Sequence, residues 1–364
     1  MKNSKQINKR LDSLTQRITL LSKELKTHLA LPPRARDNVK LRFLRDELDL
    51  YQASHSQLSW VVGESADASA ISVHGQASNM LAEDARQHSH LDIQLGGGLG
   101  DLLCFTPVLR ALKTPQENLA TPHITLQLPT HVGMDLFTHN PNVDVLTVIG
   151  KFNSKSEAKK YTLSVGGLGT DVYFRQPAAQ ILAHALGQNI NDIRPEIFIT
   201  QQQQAFAQTT MRGLKPVVAI GAVSRQPANQ NWPISRWNDL IEHFSNIQFA
   251  QLGLPDEPRI ENTLDWRFKG KLLDAFALME HSIAYVGMDT LWGHMAAAAH
   301  IPAVTLFGGT HPSVFTYPDH ISLYKELRCS PCHHRLQSRS CPYNTECIDS
   351  ITTDEVINAL AKII

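Results

Sequence analysis

No stretch of this 364-residue chain is long and apolar enough to cross a bilayer. The longest apolar runs reach about eight residues, against the ~20 that a spanning helix needs. The N-terminus has no short apolar core with a small-residue cleavage site, so it does not read as a secretory signal, and the expectation is a cytoplasmic protein. Aromatic residues are sparse at 7%. The basic N-terminal residues lack interleaved aromatics, and no nucleic-acid motif is present, which argues against nucleic acid as a partner. Net charge is also missing: 34 Lys and Arg balance 34 Asp and Glu. That balance hides a split. Residues 1–45 hold 12 basic against 3 acidic residues, and the other 319 hold 22 against 31. A basic arm is attached to an acidic body. With 42% hydrophobic and 19% charged residues, the composition is that of a folded chain, and the length predicts two or three domains.

The arm spans residues 1–60. Ile7, Leu11, Leu14, Ile18, Leu21 and Leu25 alternate steps of four and three, the repeat of a coiled-coil seam. Lys9, Arg10, Arg17, Lys23 and Lys26 lie off that stripe, and the prolines at 32 and 33 end the helix because proline removes a donor and clashes with the preceding turn. Leu41, Leu44, Leu48 and Tyr51 mark a second helical stretch over about 38–58. Three heptads give little independent stability. The stripe therefore packs on the chain's own body or on a sister arm, which would make a homo-oligomer, or it lies as a basic amphipathic helix on an anionic membrane face. Residues 61–90 show no sustained periodicity and read as a linker.

From residue 91 strands and helices alternate. Strands are expected at Leu91–Leu95, Ile124–Leu128, Val143–Ile149, Asp171–Arg175, Pro216–Ala222, Ile247–Gly253, Ile283–Gly287 and Ala303–Gly308. Helices are expected at Leu99–Leu112, 131–138, Ala178–Leu186, Trp237–Phe244, Leu272–Met279, Leu291–Ala299 and 353–363, with a polar Gln-rich break at Gln201–Gln208. Such alternation argues for an α/β chain of parallel sheets covered by helices. The break divides it into two doubly wound domains, 91–212 and 213–352, followed by a C-terminal helix at 353–364. Ligands in such sheets bind beyond the carboxyl ends of the strands.

Three strand ends carry chemistry. Gly96-Gly97-Gly98-Leu99-Gly100-Asp101 follows a strand and opens a helix. Its glycines are spaced two and two, where a dinucleotide fingerprint needs two and three, and Asp101 stands in the third glycine's place. A carboxylate there would repel a pyrophosphate but could take a proton from a hydroxyl; it could equally be an ordinary aspartate at a helix start. Gly287-Met288-Asp289-Thr290-Leu291-Trp292-Gly293-His294 has the same strand-to-helix context. Thr290 and the first amides of the helix could hold phosphate oxygens, and His294 is either near that end or a buried core residue. The polar loop from Gly221 to Trp237 contains Arg225, which could meet a diphosphate or lie in solvent.

These stretches resemble the heptosyltransferase-like glycosyltransferases (ADP-heptose:lipopolysaccharide heptosyltransferases and relatives). The resemblance rests on the Gly-Leu-Gly-Asp turn with its Pro-containing helix at Gly98–Lys113, the Trp-Pro loop and Arg-Trp helix at Trp232–Trp237, and Gly287–Pro312. It covers about three quarters of the chain and excludes the arm. It implies a GT-B fold, two Rossmann-like domains facing across a cleft, with 91–212 taking the acceptor and 213–352 the donor. It further implies Asp101 as the base, and Gly98, Gly100, Asp289, Thr290 and His294 at the donor site, with Arg225 as the candidate cation there. The donor would be a nucleotide sugar, an ADP-sugar by preference. The reaction would be a one-step inverting displacement without a catalytic metal, onto a lipopolysaccharide, another glycan or a protein hydroxyl. The sequence departs from the family pattern at Leu291, where glycine is usual, and at Gln230 and Asn231, where a basic residue is usual. A degenerate, non-catalytic scaffold assembling through the arm is the alternative; a nicotinamide enzyme fits the broken glycine spacing less well.

Four of the five cysteines, Cys329, Cys332, Cys341 and Cys347, lie within the segment 329–347. Four thiolates on a short loop suit a tetrahedral structural metal, zinc or iron; disulfides and free thiols are the other readings, and a reducing compartment disfavours disulfides. A cysteine cluster here also resembles the autotransporter heptosyltransferase branch, which implies iron. Cys104 reads as a small core residue.

Overall fold

The computed structural model describes residues 2–31, 70–74, 84–117, 119, 121–149, 157–164, 176–224, 231–267, 271–327, 330–331, 341 and 343–364. The expected second arm helix and the strand Asp171–Arg175 lie outside these residues. The first arm helix, α1 (Lys2–Leu29), is present. Leu21 on its stripe is buried while Leu20, one position off, is 60% exposed.

The first sheet contains β1 (Ala70–His74), β2 (His90–Gly96), β3 (His123–Leu128), β4 (Val145–Val148) and β5 (Lys159–Ser164). All pairs are parallel, in the order β1-β5-β2-β3-β4. Part of the stretch expected to be a linker is therefore an edge strand, β1. The helix expected over Leu99–Leu112 is two helices, α2 (Leu99–Leu103) and α3 (Thr106–Lys113). Pro107 sits in the first turn of α3, where its missing N–H costs nothing and the chain can restart. Residues 131–136 form a tight 3₁₀ turn, and α4 (Ala178–Ala185) packs on α3.

This sheet is not apolar on both faces, as a buried parallel sheet usually is. His90, Asp92 and Gln94 of β2 stand in register with His123, Thr125 and Gln127 of β3, and Asp92 and Gln94 with Lys160 and Thr162 of β5. Asp92 and Gln127 are buried, and Gln127 Nε2 donates to Asp92 Oδ1 at 2.5 Å. The pairing satisfies a carboxylate that burial would otherwise penalise.

The Gln-rich break is a helix, α5 (Gln201–Met211). Glutamine is a good helix former, and Thr200 and Gln203 make a reciprocal capping box at its start. The second sheet follows: β6 (Val217–Gly221), β7 (Gln248–Gln251), β8 (Thr263–Asp265), β9 (Ala284–Met288), β10 (Ala303–Phe307) and β11 (His320–Tyr324). Its order is β11-β10-β9-β6-β7-β8, all parallel. The helices are α6 (Ile234–His243), α7 (Leu272–Glu280), α8 (Leu291–Ala298), α9 (Pro312–Phe315), α10 (Glu346–Asp349) and α11 (Thr353–Leu360). Every residue of β6, β9 and β10 is buried, as the unbroken apolar runs predict. The strand order reverses between β6 and β9, and that crevice is where doubly wound sheets bind ligands. In the first sheet the reversal falls beside β2.

The two sheets share one continuous buried cluster, running from Leu91, Ile93 and Leu95 to Tyr285, Trp292 and Met295. Helix α2 packs on α8, and α5 on α7. The connection between the domains is stitched by charge. Arg110 of α3 reaches Asp192 at 3.0 Å and Glu196 at 2.7 Å. Arg194 between them pairs with Asp319 and donates to His300 Nδ1 at 3.1 Å.

Thr200→Ala removes the side-chain acceptor of the α5 cap and should cost about 1 kcal/mol. The check is a lower denaturant midpoint with an unchanged slope.

Candidate active site

The first strand-end turn is built by β2 running into α2. Gly97 has φ +130°, a conformation that excludes most side chains, and the turn folds Asp101 back over it. Asp101 Oδ2 accepts the Gly98 N–H at 2.8 Å. The carboxylate thus caps its own helix and is held in place by that bond, as expected of an aspartate at a helix start. Burial raises its pKa, and the Gly98 N–H partly offsets this.

Gly100 faces the other domain. A Cβ there would lie 2.7 Å from His294 Cδ2 and 3.0 Å from Nε2. The first turn of α2 and the side chain of α8 are in direct contact, and only glycine fits between them. Gly98 is the residue just before α2 and has φ −73°.

The second strand-end turn is built by β9 running into α8. Thr290 is extended, at φ −152°, and makes no side-chain cap bond; its hydroxyl makes a long bond to Met288 O, 3.4 Å, and is also hydrogen-bonded with Tyr285. Asp289 is hydrogen-bonded by Thr310 from the loop after β10. Burial and the nearby charge of Asp101 push its pKa up to about 7. The two carboxyls therefore sense each other across the domain interface. Leu291 packs on the shared apolar cluster.

His294 is 4% exposed. Its Nδ1 meets Tyr317 Oη at 2.7 Å and Cys104 Sγ at 3.7 Å. Burial lowers its pKa to about 4, so the ring is neutral near pH 7. Cys104 is more than the small core residue expected from sequence: its thiol joins a polar network from the opposite domain, and burial raises its pKa. Tyr317, Thr310 and the Cys104 contact had no local signal, because each is brought to the site from a distant point in the chain.

Arg225 and Gln230 lie outside the described residues. The loop ends flanking them are clipped together, with Ser224 N–H donating to Asn231 Oδ1 at 2.6 Å. The Trp-Pro and Arg-Trp residues serve as a clamp. Trp232 Nε1 donates to Ile351 O, and Arg236 to Asp349 O and Ile351 O, each at 2.8 Å. They hold the C-terminal segment that carries Cys347. That residue is buried, and a Cβ on Gly308 would lie 3.3 Å from its Sγ. Cys341 is half-buried. Cys329 and Cys332 lie outside the described residues. Among the described residues no group of three or more His, Cys, Asp or Glu is placed to hold a metal, and no helix is long and apolar enough to cross a membrane.

Residues 176–341 match the sequence model of glycosyltransferase family 9 (heptosyltransferase). No curated protein matches the chain. Among solved structures it resembles the family 9 glycosyl transferase from Veillonella parvula DSM 2008, with TM-score 0.58 and 16% identity over 76% of this chain and 97% of that one. It resembles TibC, an iron-containing dodecameric glycosyltransferase of enterotoxigenic E. coli H10407, with TM-score 0.57 and 16% identity over 76% of each chain. It also resembles the E. coli ADP-heptose LPS heptosyltransferase II, with TM-score 0.54 and 14% identity over 75% of this chain and 98% of that one.

Asp289→Asn tests the electrostatics. A carboxyl with a folded pKa raised from 3.8 to about 7 contributes stability fully below its unfolded value, and that contribution is lost as pH rises through about 7. His294, lowered from 6.5 to about 4, has the opposite sign in the same window, so the variant is needed to separate them. The melting temperature of the variant relative to the parent should climb between about pH 4 and pH 8.

The chain therefore has the parallel α/β architecture of the GT-B heptosyltransferases in both sheets. Over residues 176–341 it also resembles glycosyltransferase family 9 in sequence, which supports a glycosyltransferase.

Proposed function

We propose that this chain is an inverting glycosyltransferase that moves a heptose-like sugar from a nucleotide diphosphate to a hydroxyl of a lipopolysaccharide, another glycan or a protein. The observation that carries the proposal is the meeting of the two strand-end turns: Gly100 lies against His294, and the charge of Asp101 is felt at Asp289. A base from one domain and a helix start from the other then flank one crevice. Asp101 takes the proton of the acceptor hydroxyl as its oxygen attacks the anomeric carbon. The bond from that carbon to the diphosphate oxygen breaks on the opposite face, and the nucleotide diphosphate leaves with the electron pair. The raised pKa of Asp101 moves it toward the basicity that proton abstraction needs.

The donor diphosphate would meet the amides at the start of α8 and the Thr290 hydroxyl, with Arg225 as the side-chain cation. An ADP-sugar is favoured, since TibC has been solved with ADP-D-β-D-heptose. A structural zinc or iron would be held by Cys329, Cys332, Cys341 and Cys347. The buried Cys347 beneath Gly308 fits a closed thiolate shell that pins this segment, with no part in the transfer. Helix α1 would serve self-assembly, as in a homo-oligomer, or peripheral contact with an anionic inner membrane face of a cytoplasmic enzyme.

Asp101→Asn should reduce nucleotide release from ADP-heptose by about 10²–10⁴-fold, with donor affinity little changed. Lipopolysaccharide core, glycan and protein acceptors would be assayed in parallel; turnover at the parent rate would remove Asp101 as the base. Deleting residues 2–31 should lower the number of chains per particle measured by light scattering, and an unchanged number together with unchanged vesicle binding would remove both roles given to the arm.

A further inference from the structure

His294 carries a constraint that the transferase reading does not explain. Its ring sits between two domains. Nδ1 faces Tyr317 Oη at 2.7 Å and Cys104 Sγ at 3.7 Å, while Nε2 lies on the side of Gly100. Phe315 and Tyr317 meet the ring edge-on, with centroids 5.5 Å and 5.8 Å away, so its orientation is fixed by packing. The thiol of Cys104 and the hydroxyl of Tyr317 are also hydrogen-bonded to each other.

Three groups share this small polar cluster, and their protons can be placed by acceptor strength. A neutral imidazole has one N–H and one acceptor nitrogen. If Nδ1 carried the proton, it would donate to Tyr317 Oη, and the tyrosine O–H would be left to thiol sulfur, a weak acceptor. If Nδ1 is bare, Tyr317 O–H donates to a strong nitrogen acceptor and the Cys104 S–H, a weak donor, falls to Tyr317 Oη. The second arrangement gives the strong donor the strong acceptor and leaves Nε2 protonated. Its N–H has no acceptor among the described residues and lies beside Gly100, where the two turns meet.

We propose that Tyr317 is a positioning residue that holds His294 as its Nε2–H tautomer, with Cys104 completing the network from the opposite domain, so that a neutral N–H is offered to an anionic oxygen of the donor. Tyr317 and Cys104 act through His294 and do not touch the ligand. Because Cys104 follows α2 and Tyr317 follows α9, the network is complete only when the two domains are together. The use of the N–H rests on the nucleotide-donor reading; the tautomer itself does not.

The test is long-range ¹H–¹⁵N correlation on the full chain labelled at histidine nitrogen, near neutral pH, with the His294 signals identified by their loss in His294→Gln. The expected pattern is a protonated Nε2 and a bare Nδ1. In Tyr317→Phe, which keeps the ring, the pattern should move toward the other tautomer or an average of both. A protonated Nδ1 in the unmodified protein overturns the proposal without any variant, and so does an unchanged pattern in Tyr317→Phe. Calorimetric titration with ADP separates the two claims. Binding weakened about tenfold in Tyr317→Phe, on the scale of one lost charge-assisted hydrogen bond, supports the use of the N–H. Equal binding by both proteins, or no binding by the unmodified one, overturns that use while the tautomer is judged by its spectrum.

Discussion

The place where Gly100 touches His294 has no room for a methyl group, and much of the site follows from that. With only hydrogen on Cα, the start of α2 can rest on the side of α8, and two strand ends from separate sheets arrive within one contact. A larger residue would have to push the two helices apart. The separation would weaken the influence of Asp101 on Asp289, pull Cys104 from His294 and break the apolar cluster that runs through both domains. The chemistry and the packing of the interface are therefore one constraint.

Burial governs the electrostatics. If the donor is anionic as proposed, the acidic body does not attract it by overall charge, and orientation of the site's own groups has to do so. Asp289 and His294 are both pushed toward their neutral forms by desolvation. A neutral imidazole, a hydroxyl and backbone amides can face a diphosphate without the cost of stranding an unpaired buried cation. Burial also raises the pKa of Asp101, and the Gly98 N–H fixes its carboxyl over the turn.

What could be read in advance divides along the same physical line. The centre of the second sheet was legible because β6, β9 and β10 are fully buried and appear as unbroken apolar runs; its edge strands were not, since β8 is three residues long and β11 is only half-buried. The first sheet was only half legible. Its strands alternate with polar residues such as Asp92, Gln94 and Gln127, and β5 opens on Lys159 and Lys160, so the stretch gave no strand signal. β1 lay hidden in a stretch without periodicity because its partner is the equally hidden β5. The Gln-rich helix α5 has almost no apolar face, and its capping box at Thr200 and Gln203 was the missed clue. The strand-to-helix positions of Asp101, Asp289, Thr290 and His294 were legible because each follows an apolar strand through a short turn. Tyr317 and Thr310 were not, since long-range contacts alone recruit them.

The charged seam between the domains has a different kind of consequence. Asp192, Arg194 and Glu196 alternate in sign along the connection, and their partners belong by turns to one domain and the other: Arg110 on the first side, Asp319 and His300 on the second. Each such pair, partly open to water, is worth at most about 1 kcal/mol and fades as salt shortens the screening length. The apolar cores feel little of this. Ionic strength thus acts on the charged share of what holds the two halves in their relative pose, while the shared apolar cluster and each sheet stay intact.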